Sequence, residues 1–103
     1  MLAVPSRQEA MSIVALEAGI SGTPVLLTDR CGFGEVAEVG GGQVVPATVE
    51  GLRAGLDGML KDTEGLGQMG EKLRAFVAER YTWGTAVERY LKLYRRILGL
   101  TEP

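Results

Sequence analysis

A chain of 103 residues, 46% hydrophobic and 23% charged, has the size of one domain or less and is too apolar for intrinsic disorder. Its net charge of −2 argues against a nucleic-acid partner, no apolar run reaches the about 18 residues of a membrane-spanning helix, and no secretory leader is visible at the N-terminus. With no histidine and one cysteine, Cys31, a zinc site, a His-dependent triad and an internal disulfide are excluded, no metal or cofactor is expected, and a reducing, cytoplasmic setting is the default.

Leu2–Val4 reads as a short strand stopped by Pro5 and Ser6. Residues 9–20 fit a helical period, with Ile13, Leu16 and Ile20 at i, i+3 and i+7 and Ala10, Val14 and Ala18 alongside. Gly22-Thr23-Pro24 ends that helix, because proline disfavours helical backbone in the residue before it. Val25-Leu26-Leu27 is continuously apolar, as in a strand buried on both faces, and Thr28-Asp29 closes it with polar side chains.

A glycine-rich loop over 32–42 encloses a short helix at 35–39, and a third strand follows at 44–46. Thr48 caps a helix whose face carries Val49, Leu52, Leu56, Met59 and Leu60. A second helix presents Leu66, Met69, Leu73, Phe76 and Val77. The last has the cleanest period: Trp83, Val87, Tyr90, Leu91, Tyr94, Ile97 and Leu98, with Thr82 as N-cap and Thr85 to Glu88 as a capping box in another register. That stripe reads as core. The cations Arg89, Lys92, Arg95 and Arg96 complement the helix dipole, and membrane contact is not expected.

Strands alternating with helices predict an α/β fold with a parallel sheet and right-handed crossovers. About three strands followed by C-terminal helices make half of a doubly wound sheet, a partial Rossmann-like domain. The helix at 9–20 holds two carboxylates, Glu9 and Glu17, with seven residues between them. Taken singly, Glu9 completes a Ser6-x-x-Glu9 capping box and Glu17 points to solvent.

Taken together, Pro5, Ser6, Glu9, Val14, Leu16, Glu17 and Ala18, then Gly22-Thr23-Pro24-Val25, closely resemble the donor-site segment of family 4 (group 1) glycosyltransferases, retaining enzymes of the GT-B, two-Rossmann type. Downstream, GGQVVP over 41–46 and Thr82-Trp83 with Tyr90, Leu93 and Tyr94 resemble that family's next strand and closing helix. The resemblance implies that residues 1–103 are a single partial domain, the C-terminal half of a nucleotide-sugar-binding domain.

It also implies roles. Glu9 would act catalytically beside the donor sugar, and Glu17 would bind the ribose hydroxyls. The amides of Met11, Ser12 and Ile13 would face the diphosphate at the helix N-terminus. Met11-Ser12 stands where the family usually has Phe-Gly, and Cys31-Gly32-Phe33-Gly34-Glu35 follows the family's Gly-Gly-x-x-Glu loop only loosely. The acceptor domain and the first three donor-domain strands, with their Arg and Lys pair, lie outside the resemblance. The expected function is therefore that of a glycosyltransferase fragment, half of a donor site, silent by itself. The alternative is a non-enzymatic half-Rossmann module that works by self-association as a homo-oligomer. A different nucleotide-binding or receiver-like domain lacks support: no GxGxxG follows a strand, and there is no P-loop and no acidic cluster at the first strand's end.

Overall fold

The computed structural model describes residues 1–99. The elements follow in the order β1 (Leu2–Val4), α1 (Ile13–Ile20), β2 (Val25–Thr28), α2 (Glu35–Glu38), β3 (Gly42–Val45), α3 (Val49–Leu60), α4 (Thr63–Arg80) and α5 (Trp83–Ile97). The strands form one parallel sheet in the order β1-β2-β3, with Leu2 opposite Val25 and Val25 opposite Gly42. This is the expected α/β, partial Rossmann-like architecture.

The central strand β2 is buried along its whole length, as its unbroken apolar run requires. Val25 and Leu27 point into a cluster with Ala15, Cys31, Phe33, Val36, Leu73 and Val77. On the other face Leu26 meets α3, where a Cβ built on Gly55 would stand 2.7 Å from Leu26 Cδ1. Helices thus cover both faces of the sheet. The third strand begins two residues earlier than expected because Gly42 and Gln43 already pair with Val25 and Leu26. Gly42 lies so close to the Val25 carbonyl that no side chain fits there.

Two expectations for α1 are corrected. The first concerns where α1 starts: it begins at Ile13, not residue 9, and Ser12 is its N-cap, its hydroxyl accepting from the Ala15 amide at 3.2 Å. The Ser6–Glu9 capping box does not form; Ser6 Oγ makes only long contacts with the Gln8 backbone at 3.4 Å. The second concerns which face α1 buries. Ile13 is 67% exposed and Ile20 49%, whereas Ala15 and Gly19 face inward. A Cβ on Gly19 would stand 2.8 Å from Val77 Cγ2 and 3.0 Å from Leu73 Cγ, so the small residues let α1 close onto α4. On α3 likewise, Met59 is buried while Val49 and Leu60 are exposed.

The α4 stripe packs as its period predicts, with Leu73 and Val77 buried and Phe76 against the core. α5 does not. It forms over the expected residues, capped by Thr82, yet none of its residues is buried. Trp83 is 88% exposed and Tyr90, Tyr94, Ile97 and Leu98 all exceed half exposure, so the core reading of that stripe is overturned. The radius of gyration, 16.0 Å, accordingly exceeds the about 13 Å of a compact chain this long.

Candidate functional site

Open parallel sheets bind ligands beyond the carboxyl ends of their strands. Here that edge is built from the loop over 5–12, which follows β1, and the loop over 29–34, which follows β2. The two loops are stitched together. The Glu9 amide donates to the Arg30 carbonyl at 2.8 Å and the Ser12 amide to the Cys31 carbonyl at 3.0 Å. Thr28 Oγ1 donates to the Ser6 carbonyl, and Cys31 Sγ lies 3.4 Å from the Val4 carbonyl. Gly32 takes φ +69 with its Cα against the Ala10 carbonyl, a position no side chain could share.

On this frame Glu9 is a loop residue, half-buried, and its Oε2 is buried without any hydrogen-bond partner among the described residues. A buried carboxylate oxygen left unpaired is costly and rare in a settled structure. Ser12 is fully buried with φ −78 and ψ 107, ordinary extended backbone, so the serine that replaces the family's glycine introduces no strain and serves as the cap. Met11 packs against the core and Ile13 is exposed.

Of the three amides singled out from sequence, that of Ser12 is already held by Cys31. Among the described residues, the amides of Met11, Ile13 and Val14 have no acceptor. Val14 was missed because the helix start was placed too early; Ser12 as the last cap-type residue before an apolar run was the available signal. Glu17 is exposed on the same face of α1 as Ile13, one turn further on. Arg30 pairs loosely with Asp29 at 3.7 Å, both well exposed.

A second missed feature involves Tyr81. Its hydroxyl donates to Glu35 Oε2 at 3.1 Å. Burial, with the Glu35 carboxylate beside it, pushes its phenol above the usual tyrosine value. A groove of about 460 Å³ runs between α1 and α5, lined by Leu16, Tyr81, Trp83, Ala86, Tyr90 and Leu93 among others. Glu9 is not among its lining residues, and Leu16 is its contact with the first turn of α1. Among the described residues no cluster of three or more His, Cys, Asp or Glu could hold a metal ion, and no helix is long and apolar enough to cross a membrane.

The family model for glycosyl transferases group 1 matches residues 1–76. The D-inositol 3-phosphate glycosyltransferase of Gordonia bronchialis is 36% identical over 101 residues, which make up 95% of this chain and 22% of that protein. An uncharacterized glycosyltransferase of Methanocaldococcus jannaschii is 30% identical over 97 residues, 92% of this chain and 25% of its own. Among solved structures, sucrose-phosphate synthase from Thermosynechococcus elongatus superposes with a TM-score of 0.81 at 26% identity, over 95% of this chain and 25% of that one. The chain therefore spans about a quarter of the length of the relatives it matches.

Proposed function

The chain belongs to the glycosyl transferases group 1 family, and from that premise we propose that it supplies part of the donor side of a retaining enzyme that uses a nucleotide-sugar. The unpartnered Glu9 Oε2 carries the reading. A carboxylate oxygen held out of water with no donor to accept from is matched by a hydroxyl donor, and a donor sugar offers several. Glu9 acts on the sugar as the catalytic carboxylate. Next to it the amides of Met11, Ile13 and Val14 receive the diphosphate, favoured by the dipole of α1. Exposed Glu17, one turn along, accepts from the ribose hydroxyls, and charge-assisted bonds of this kind are the stronger class.

The matched segment supplies one wall of such a site. Among the described residues, the two loops themselves carry two cations, Arg7 and Arg30, and both are exposed. Neutralising a diphosphate leaving group needs more positive charge than that. The 103-residue chain is therefore catalytically silent alone. Transfer belongs to a protein that adds the remaining donor strands and an acceptor domain. The test is calorimetric titration with UDP, GDP and ADP, on this chain and on a longer protein containing it. Failure of the longer protein to bind any of the three overturns the reading.

Two observations favour a second reading, a self-associating module. They are the uncovered face of α5, from Trp83 to Leu98, and the unpaired outer edge of β1. A two-fold dimer is the simplest closed arrangement of such a face.

A further inference from the structure

Tyr81 stands where α4 gives way to α5. Its amide closes α4 on the Val77 carbonyl at 2.8 Å, and its neighbour Thr82 caps α5. Its ring meets Phe33 and Phe76 edge-on, with centroids 5.6 and 5.9 Å away, and Phe33 is itself only 2% exposed. Across 46 residues of chain its hydroxyl reaches the Glu35 carboxylate on the first turn of α2.

That turn has little to hold it. α2 is four residues long, and its N-cap Gly34 makes no side-chain bond. A single helical turn is unstable without tertiary anchors. Two are present: the buried Val36 side chain, which fixes depth, and the Tyr81–Glu35 bond, which is directional and fixes rotation. Immediately upstream in the same loop lie the Arg30 and Cys31 carbonyls that hold the backbone of Glu9 and Ser12.

We propose that Tyr81 is a positioning residue for the candidate donor site: through Glu35, its hydroxyl holds the 29–35 loop where that loop fixes the backbone of Glu9 and the Ser12 cap. The site assignment rests on the function proposed above; the mechanical link does not. The phenol's raised pKa suits the role, because the hydroxyl stays a donor throughout the neutral range. The link also ties the α4–α5 junction, beside the uncovered α5 face, to the loops that carry Glu9.

Amide hydrogen exchange on the 103-residue chain tests it. Tyr81→Phe keeps the ring and its aromatic contacts and removes only the hydroxyl. It should speed exchange of the Ser12 and Glu9 amides about tenfold, the effect of one lost hydrogen bond to a charged group. The urea midpoint should fall by the same increment, because the unfolded chain lacks the bond as well, and amide chemical shifts should move at Glu9 and Ser12 but not at Leu26 and Leu27. Glu35→Ala should reproduce the effect, and Glu35→Gln, which keeps a neutral carbonyl acceptor, should retain part of the protection. Unchanged exchange at Ser12 and Glu9 in Tyr81→Phe and Glu35→Ala overturns the proposal. So do amide shifts that move as much in β2 as at Glu9 and Ser12, which would make the contact a general stabiliser, and so does a loss of protection in Glu35→Gln as large as that in Glu35→Ala. Nucleotide titration of the wild-type protein judges the donor-site reading separately.

Discussion

Gly19 and Val77 lie so close that a Cβ on the glycine would stand 2.8 Å from Val77 Cγ2. Leu73 Cγ, at 3.0 Å, blocks retreat on the other side. Gly19→Ala should therefore destabilise the chain by roughly 1 kcal/mol net, the overpacking cost exceeding what alanine gains in helix propensity. Gly67, on α4 with open space around its Cα, is the control. Gly67→Ala should stabilise by up to about 1 kcal/mol. Urea midpoints of the two variants check the contrast, and movement in the same direction would refute the packing account.

Ser12→Ala should cost about 1–2 kcal/mol, because the Ala15 amide loses its cap in a fully buried position. Ser12→Gly, which restores the residue the family usually has there, should lose less, since glycine is itself tolerated at N-caps. Thermal unfolding of both variants gives the order. An alanine variant as stable as wild type would mean that the cap contributes nothing.

These two sites show which parts of the structure were legible in advance. The order of elements could be read because its signals are local: Gly-Thr-Pro before a β-branched run, Thr48 and Thr82 ahead of amphipathic periods. The start of α1 could not, since Ser6 and Ser12 both resemble caps, and the choice is made by the Arg30 and Cys31 carbonyls nearly twenty residues away. The buried face of α1 was misread because large apolar residues marked the stripe, whereas close contact with α4 selects Ala15 and Gly19. An amphipathic α5 announces a partner without saying whether the chain contains one. As for the site, residue types alone left Glu9 and Glu17 ambiguous, and the resemblance singled them out. The carbonyl contacts that set their frame carry no residue signature.

Glu9→Gln should separate stability from function. A buried oxygen without a partner is a cost carried by the unliganded chain. Replacing the carboxylate with a neutral amide of the same shape should raise stability by about 1 kcal/mol. In a longer protein with transferase activity the same change should lower turnover more than nucleotide affinity, because interactions at the reacting sugar strengthen in the transition state. Paired denaturation and steady-state kinetics would show both effects. Loss of stability with unchanged turnover would make Glu9 a structural residue.

Glu17 is exposed, so its removal should leave folding almost untouched. In a nucleotide-binding protein containing this segment, Glu17→Ala should weaken binding by about 1–3 kcal/mol, the loss of charge-assisted bonds to a diol. Glu17→Gln should recover only part, since the amide accepts at one oxygen. Calorimetry with UDP, GDP and ADP reads this directly, and an affinity unchanged for all three would remove Glu17 from the site.

The uncovered α5 face makes the last expectation. Trp83, Val87, Tyr90, Tyr94 and Ile97 follow a four-three spacing, and each is more than half exposed. The cations Lys92 and Arg96 lie on the opposite side of the helix, while Arg89 lines the groove beside Trp83 and Tyr90, so two copies can meet along the apolar seam with Arg89 kept at its rim. Scaled by ordinary side-chain areas, the exposed stripe offers on the order of 800 Å² per chain, the share of a standard interface. The 103-residue chain should therefore sediment as a dimer at tens of micromolar, about the range of ordinary weak-dimer affinities. Tyr90→Glu combined with Tyr94→Glu should return it to monomer while leaving the urea midpoint of dilute protein in place, because no α5 residue is buried in the core. A wild-type chain that stays monomeric at that concentration sinks the expectation. A dimer that survives the double substitution moves the contact elsewhere, to an unpaired outer sheet edge such as that of β1.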